Sequence, residues 1–252
     1  MKHTDVHVVA LIPAKTDSTR LTKKNLQKVN GKTLLEHSID YALSSEYIKD
    51  IIVSTESDEV RKICETYDIL ENDFDNTELG SSILTQHIHV YNRPKSLLRD
   101  AEVSDVYVDI FQNQFTENSE WGIPQNATHV VALQPDHPDR TKNLDEMTDY
   151  FIDNTYDDLI TVDSSGTRNG SVRITKAQYV MEGTISRRIG SVLDDCTNIH
   201  SNEDLKRAES NMSITKNNQE FKTQEEQVVE EHRLYPFEKE GSYSFNGGDN
   251  NE

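Results

Sequence analysis

The stretch Val6 to Ile12, VHVVALI, is almost unbroken in its apolar, β-branched character and empties into a polar loop, Pro13 to Lys32, rich in Lys and Arg. A strand in a sheet with one wet face alternates apolar and polar residues, whereas a strand covered on both faces reads as a continuous apolar run. Such a strand needs helices above and below it. The chain supplies them in order. Leu34 to Leu43 has apolar residues at helical spacing, Ile51 to Val53 is a second short strand, and Asp58 to Tyr67 reads as a second helix. Strand, loop, helix, strand, helix is the pattern of parallel strands joined by crossovers, so the expected class is α/β, with a mostly parallel central sheet and helices on both faces.

Further along, Ala101 to Phe115 is helical in pattern, Thr128 to Leu133 is a third buried strand, Leu144 to Ile152 a helix and Leu159 to Val162 a fourth strand. Residues 68–91 are polar without a clear period and read as an insertion, within which His87-Ile88-His89 could put two imidazoles on one face of a strand as a metal pair, although an exposed polar loop is the expected reading. Residues 167–200 read as a mixed segment. From Ser213 onward Asn, Gln, Glu and Lys dominate. The division drawn from this is a domain over 1–212 and a flexible acidic tail over 213–252, with Leu234 to Phe237 its one apolar cluster.

Composition narrows the function. A formal net charge of -19 argues against nucleic acid and against an anionic membrane surface as partners, because both are held by clustered Lys and Arg. No run approaches the roughly 20 apolar residues of a membrane span, and the first residues lack the long apolar region of a secretory leader. Cys64 and Cys196 stand far apart with no CxxC pair, giving neither a disulfide framework nor a zinc site. The expected location is the cytoplasm.

Against that acidic background, Ile12 to Asn25, IPAKTDSTRLTKKN, gathers Lys15, Arg20, Lys23 and Lys24 just past the end of a buried strand. Ligands in open α/β sheets bind at strand ends, and cations with backbone N–H groups can hold a triphosphate there. Charge alone leaves open a merely solvated connection.

The segment is similar to the nucleotide-binding loop of the CMP-sugar synthetases, the acylneuraminate and 3-deoxy-manno-octulosonate cytidylyltransferases. The shared residues are Pro13-Ala14-Lys15, Ser18-Thr19-Arg20-Leu21 and Lys24-Asn25. Further likenesses follow in the family's order: Asn30 to Leu35, Ile52 to Glu56, Arg93-Pro94 with Leu97 and Asp100, Leu133-Gln134-Pro135 with Pro138 and Arg140, Asn169-Gly170-Ser171, and Glu203-Asp204-Leu205.

The resemblance implies a Rossmann-like nucleotidyltransferase fold and transfer of CMP from CTP to an acidic 3-deoxy-2-keto sugar, with release of pyrophosphate. Lys15, Ser18, Thr19, Arg20, Lys24 and Asn25 would hold the CTP phosphates, and Arg93 and Ser104 would lie near cytosine and ribose. Gln134 and Arg140 would face the sugar. Arg20, Lys24 and Asp136 would carry catalysis, with a magnesium ion as cofactor. The family also implies a homodimer, and its longer excursion is cut here to a short 163–171 segment, which weakens that expectation.

One stretch departs from the pattern. Where the acylneuraminate branch has two aspartates, this chain reads Asn198-Ile199-His200. Gln134-Pro135-Asp136 is similar to the metal-binding stretch of the octulosonate branch, so Asp136 is the expected metal ligand, with His200 beside it. Two alternatives stay open: a catalytically weak or inactive homologue that binds nucleotide or a partner, and a nucleotide-sugar glycosyltransferase.

Overall fold

A computed structural model describes residues 3–74, 86–98, 101–114, 127–184 and 188–215. The first strand, β1 (Val8–Pro13), leads through the polar loop to a one-turn 3-10 helix (Lys24–Leu26) and a small antiparallel hairpin, β2 (Lys28–Val29) and β3 (Lys32–Thr33). Helix α1 (Leu34–Leu43) follows at once. Thr33 caps it, accepting from the Glu36 amide while the Glu36 carboxylate accepts from the Thr33 amide, so two otherwise orphaned donors are satisfied. Then come β4 (Ile48–Thr55), α2 (Asp58–Phe74), β5 (His87–Asn92), α3 (Val103–Gln114), β6 (His129–Leu133), α4 (Leu144–Asp153), β7 (Asp158–Val162), β8 (Arg168–Lys176), α5 (Ala177–Glu182) and β9 (Ile189–Leu193). A last helix occupies 202–215.

Seven strands form one sheet in the order β5-β4-β1-β6-β8-β7-β9. Strands β5, β4, β1 and β6 are parallel, β8 runs antiparallel to both its neighbours, and β7 and β9 are parallel to one another. Position alternation in β1 explains its unbroken apolar character. Val8, Ala10 and Ile12 join Leu35, Ile39, Val60, Leu144, Met147 and Phe151 on the α1, α2 and α4 side. Val9 and Leu11 join Val106, Tyr107, Ile110, Phe111 and Ala177 on the α3 and α5 side. Each face of the strand meets a helical layer, as the sequence predicts.

Several elements differ from expectation. Helix α2 continues to Phe74, and His87 to Asn92 form an edge strand, so the expected insertion shrinks from both ends; 75–85 lie outside the described residues. His89 is not in a loop: its Nε2 lies 2.9 Å from Asp50 Oδ1, while His7 Nε2 lies 3.1 Å from Asp50 Oδ2. The mixed segment resolves into β8, α5 and β9. The short 163–171 stretch opens with a tight turn between β7 and β8, in which Asp163 Oδ1 accepts from the amides of Ser165 and Thr167, both at 2.9 Å.

The chain forms two compact units that meet between Ser210 and Asn211 in the sequence. Everything described below belongs to the first unit. Residues 216–252, with Leu234 to Phe237, lie outside the described residues. No helix among those described is long and apolar enough to cross a membrane.

Candidate functional site

One cleft of about 150 Å³ lies past the ends of β1, β5 and β6 and is lined by Lys15, Ser18, Lys24, Asn25, Arg93, Gln134 and Asp136, with Leu97, Val103 and Val106 forming an apolar wall. The cationic loop is tied down at its root. Ala14 donates to the Ser54 carbonyl at 2.9 Å, and the Thr55 hydroxyl donates to the Ala14 carbonyl at 2.9 Å. Glu56 Oε1 accepts from both the amide and the hydroxyl of Thr16, each at 2.8 Å. Farther along, the buried Asn25 amide donates to the Lys15 carbonyl at 2.8 Å, folding the loop back on itself. Lys23 absorbs the turn with a left-handed φ of 48°.

The cations in this loop are seated against different groups. Lys24 Nζ lies 2.5 Å from Asp136 Oδ2. Lys23 Nζ lies 2.7 Å from Glu59, and Lys15 Nζ lies 3.8 Å from Asp17. Arg20 is outside the cleft lining. Its Nη1 lies 3.0 Å from His200 Nδ1 and 3.3 Å from His200 Nε2. Thr19 is exposed on the loop beside it.

Asp136 is 8% exposed. Burial by itself would raise its pKa, but His137 and the Lys24 ammonium more than offset this and hold the carboxyl well below the usual carboxylate range. His137 Nδ1 is 3.1 Å from Asp136 Oδ1, although its approach is not that of a hydrogen bond, and Oδ1 has no hydrogen-bond partner among the described residues.

Arg93, also buried, donates to Ser54 twice, to the hydroxyl at 3.2 Å and the carbonyl at 3.0 Å. Burial lowers its pKa, and the nearby Glu56 and Asp17 charges act against that shift.

Three expected residues sit differently from their neighbours. Ser104 lines a separate recess of about 370 Å³ on the α3 and α5 side, together with Tyr107, Asp158, Arg168, Arg173 and Tyr179. Burial pushes the pKa of the Tyr107 hydroxyl up, against the lowering effect of the Arg173 and Arg93 charges. Arg140 is a brace. It donates to the carbonyls of Gln134 (2.5 Å) and Ser171 (3.2 Å) and to the Ser38 hydroxyl (3.3 Å), and its guanidinium carbon lies 5.2 Å from the centre of the Tyr41 ring. His200 faces Arg20.

Gln134 packs on Gly170, whose φ is +77° and where an added Cβ would come within 3.0 Å of Gln134 Nε2. The glycine thus serves both the turn and the glutamine. Reading the sequence missed Thr16, Glu56, Tyr107 and His137. Glu56 carried one signal, an acidic residue immediately past a strand end.

No group of three or more His, Cys, Asp or Glu side chains able to cage a metal occurs among the described residues. A resident ion held by protein alone does not fit this site. The buried, unpartnered Asp136 Oδ1 does fit a divalent ion that arrives on a triphosphate, since magnesium needs one or two carboxylates when phosphates and waters supply the rest.

The fold is that of an α/β protein with a cleft at the ends of its parallel strands. A family model described as cytidylyltransferase matches residues 9–72. A 3-deoxy-manno-octulosonate cytidylyltransferase from Koribacter versatilis is 37% identical over 59 residues, 23% of this chain and 22% of the relative. An N-acylneuraminate cytidylyltransferase from Escherichia coli is 38% identical over 130 residues, 49% of this chain and 26% of the relative. These matches therefore span about a quarter of the length of those relatives. The solved CMP:2-keto-3-deoxy-manno-octonic acid synthetase complexed with CTP superposes with a TM-score of 0.56 at 13% identity, covering 83% of this chain and 99% of that one, which shows the shared fold. Over the parts they match, the family model and the curated relatives make this chain similar to the cytidylyltransferases that act on acidic sugars.

Proposed function

We propose that the protein transfers CMP from CTP to an acidic 3-deoxy-2-keto sugar of the nonulosonic or octulosonic kind, releasing pyrophosphate. The observation that carries this reading is the convergence of Lys15, Ser18, Lys24, Asn25, Arg93, Gln134 and Asp136 on one cleft at the strand ends. Lys15, Ser18, Lys24 and Asn25 would bind the triphosphate, and Arg93 with the Leu97, Val103 and Val106 wall would receive the base and ribose. The acid would approach from the Gln134 side, and Arg168 in the recess would offer a cation to its carboxylate. Here the sugar hydroxyl attacks the α-phosphate, and the transition state needs charge offset more than covalent help. Lys24 would supply part of that offset once phosphate displaces it from Asp136. A magnesium ion carried by the nucleotide would neutralise more, with Asp136 its contact on the protein.

A pyrophosphate-release assay with CTP against a panel of 3-deoxy-2-keto acids, with and without magnesium, tests the reading. Release with at least one acid supports it, and inertness with all of them overturns it. Asn198 and His200 favour a second reading, a homologue that binds nucleotide without turnover, because neither side chain is a carboxylate. CTP binding without any release would select that reading.

A further inference from the structure

The four cations of the loop are not equivalent. Lys15, Lys23 and Lys24 each lie within 4 Å of a carboxylate, from Asp17, Glu59 and Asp136. Arg20 instead meets the ring of His200, 180 residues away in sequence. A histidine ring carries no negative charge, so it does not cancel the guanidinium's field as a carboxylate would. Pairing with a carboxylate cancels a cation's field, so a triphosphate must first compete for it. A neutral acceptor holds a guanidinium without spending its charge.

The imidazole is carried on a rigid hook. The amide of fully buried Ile199 donates to the Asp136 carbonyl at 2.9 Å. The amides of His200 and Ser201 and the Ser201 hydroxyl all donate to Asp204 Oδ2, at 3.0, 2.9 and 2.9 Å, in the first turn of the last helix. The hook is thereby fixed to the same loop that presents Asp136.

We propose that His200 is a positioning residue for nucleotide binding: it latches the cationic loop through Arg20 and holds that guanidinium, uncancelled, for a polyphosphate at the mouth of the cleft. This rests on the reading above that the loop binds a triphosphate. The latch orders the long Arg20 side chain before the anion arrives, so less rotamer freedom is lost on binding. It also accounts for a histidine at this place. An aspartate there would hold Arg20 as well, but would neutralise it.

Two measurements test the proposal. In ligand-free protein, hydrogen exchange of the amides of residues 16–22 speeds up in His200→Ala and in Arg20→Ala, and no further in the double variant. Unchanged exchange in His200→Ala, or additive effects in the double variant, overturns the latch. Calorimetry with inorganic triphosphate and no metal reads the positioning role. His200→Ala weakens binding roughly 3- to 10-fold, within the usual range for coupled neighbours. His200→Asn, whose amide oxygen can replace the ring's unprotonated nitrogen as acceptor, restores affinity to within about twofold, while His200→Asp weakens binding at least as much as His200→Ala. Unchanged affinity in His200→Ala, no rescue in His200→Asn, tighter binding in His200→Asp, or no triphosphate binding by the parent protein overturns it. A protein that passes both measurements yet releases no pyrophosphate with any acid sugar would refute the catalytic reading and leave this one standing.

Discussion

The Lys24 ammonium lies 2.5 Å from Asp136 Oδ2, joining the nucleotide loop to the strand-end loop across 112 residues of sequence. Each group is mostly shielded from water, with the side chains 19% and 11% exposed. The cation proposed for phosphate and the carboxylate proposed for a metal therefore satisfy one another in this structure.

That pairing makes a stability prediction. Lys24→Ala leaves a shielded carboxylate without its ammonium and is expected to cost about 1–3 kcal/mol. Asp136→Asn leaves a lysine that can swing into water and should cost less. The Lys24→Ala, Asp136→Asn double variant should recover most of the loss. Chemical denaturation of the four proteins measures the cycle, and an additive result would mean that the contact is not a stabilising pair.

Acid should unfold the protein through a second carboxylate. Asp50 is 5% exposed at the other end of the sheet. Burial by itself would raise its pKa, but contacts with His7 and His89 overcome this and hold it far below the usual range. A depressed folded pKa means that the unfolded chain takes up the proton first as pH falls. The contribution is thus fully present above about pH 4 and is lost as pH drops below it. Thermal melts between about pH 6 and about pH 3 should show a steep decline in the parent and a shallower one in Asp50→Asn. Parallel curves would remove Asp50 from the acid transition.

Gly170 supports Gln134. Gly170→Ala forces a side chain onto a φ of +77° and brings its Cβ within 3.0 Å of the glutamine amide. The expected cost is about 1–2 kcal/mol of stability, since a non-glycine residue in this region is strained. Displacing Gln134 should raise KM for the acid several-fold more than KM for CTP. A larger effect on CTP would place Gln134 on the nucleotide side.

Strands covered on both faces announce themselves, which is why β1, β4, β6 and β7 and the helices between them were legible in the sequence. Edge and antiparallel strands do not. Strand β5, HIHVYN, pairs only with β4 and carries His89 inward because Asp50 receives it. Strand β8 puts Arg173 and Lys176 on the sheet, where Asp158 and Asp157 pair with them at 2.6 Å. Such charges read as loop until their partners, on β7 and just before it, are in view. The cations at the end of a buried strand were visible too, although charge alone left a merely solvated connection open and only the resemblance tied them to a nucleotide. Arg140 was less so, because a sequence gives the charge of a side chain but not the carbonyls of Gln134 and Ser171 that it turns toward. The Arg20 and His200 contact spans 180 residues and left no local pattern.

The last prediction concerns Asp136 and magnesium. Among the described residues no cluster of three ligating side chains exists, so an ion at this site would depend on the nucleotide for most of its oxygens. Asp136 Oδ1, buried and without a hydrogen-bond partner among the described residues, is a protein atom available to it. Asp136→Asn keeps the shape but removes the charge that would hold both the ion and Lys24. Turnover in the pyrophosphate-release assay should fall by about two orders of magnitude or more, as losses of a charge-stabilising group at a phosphoryl centre commonly do. The fold should survive, because the amide can still accept from Lys24. Magnesium should bind weakly or not at all to the free parent protein and more tightly when CTP is present, and calorimetry with and without the nucleotide reads that directly. In Asp136→Asn the enhancement by CTP should shrink to what free CTP itself provides. Full turnover in Asp136→Asn, or tight magnesium binding without CTP, would assign the metal to other ligands.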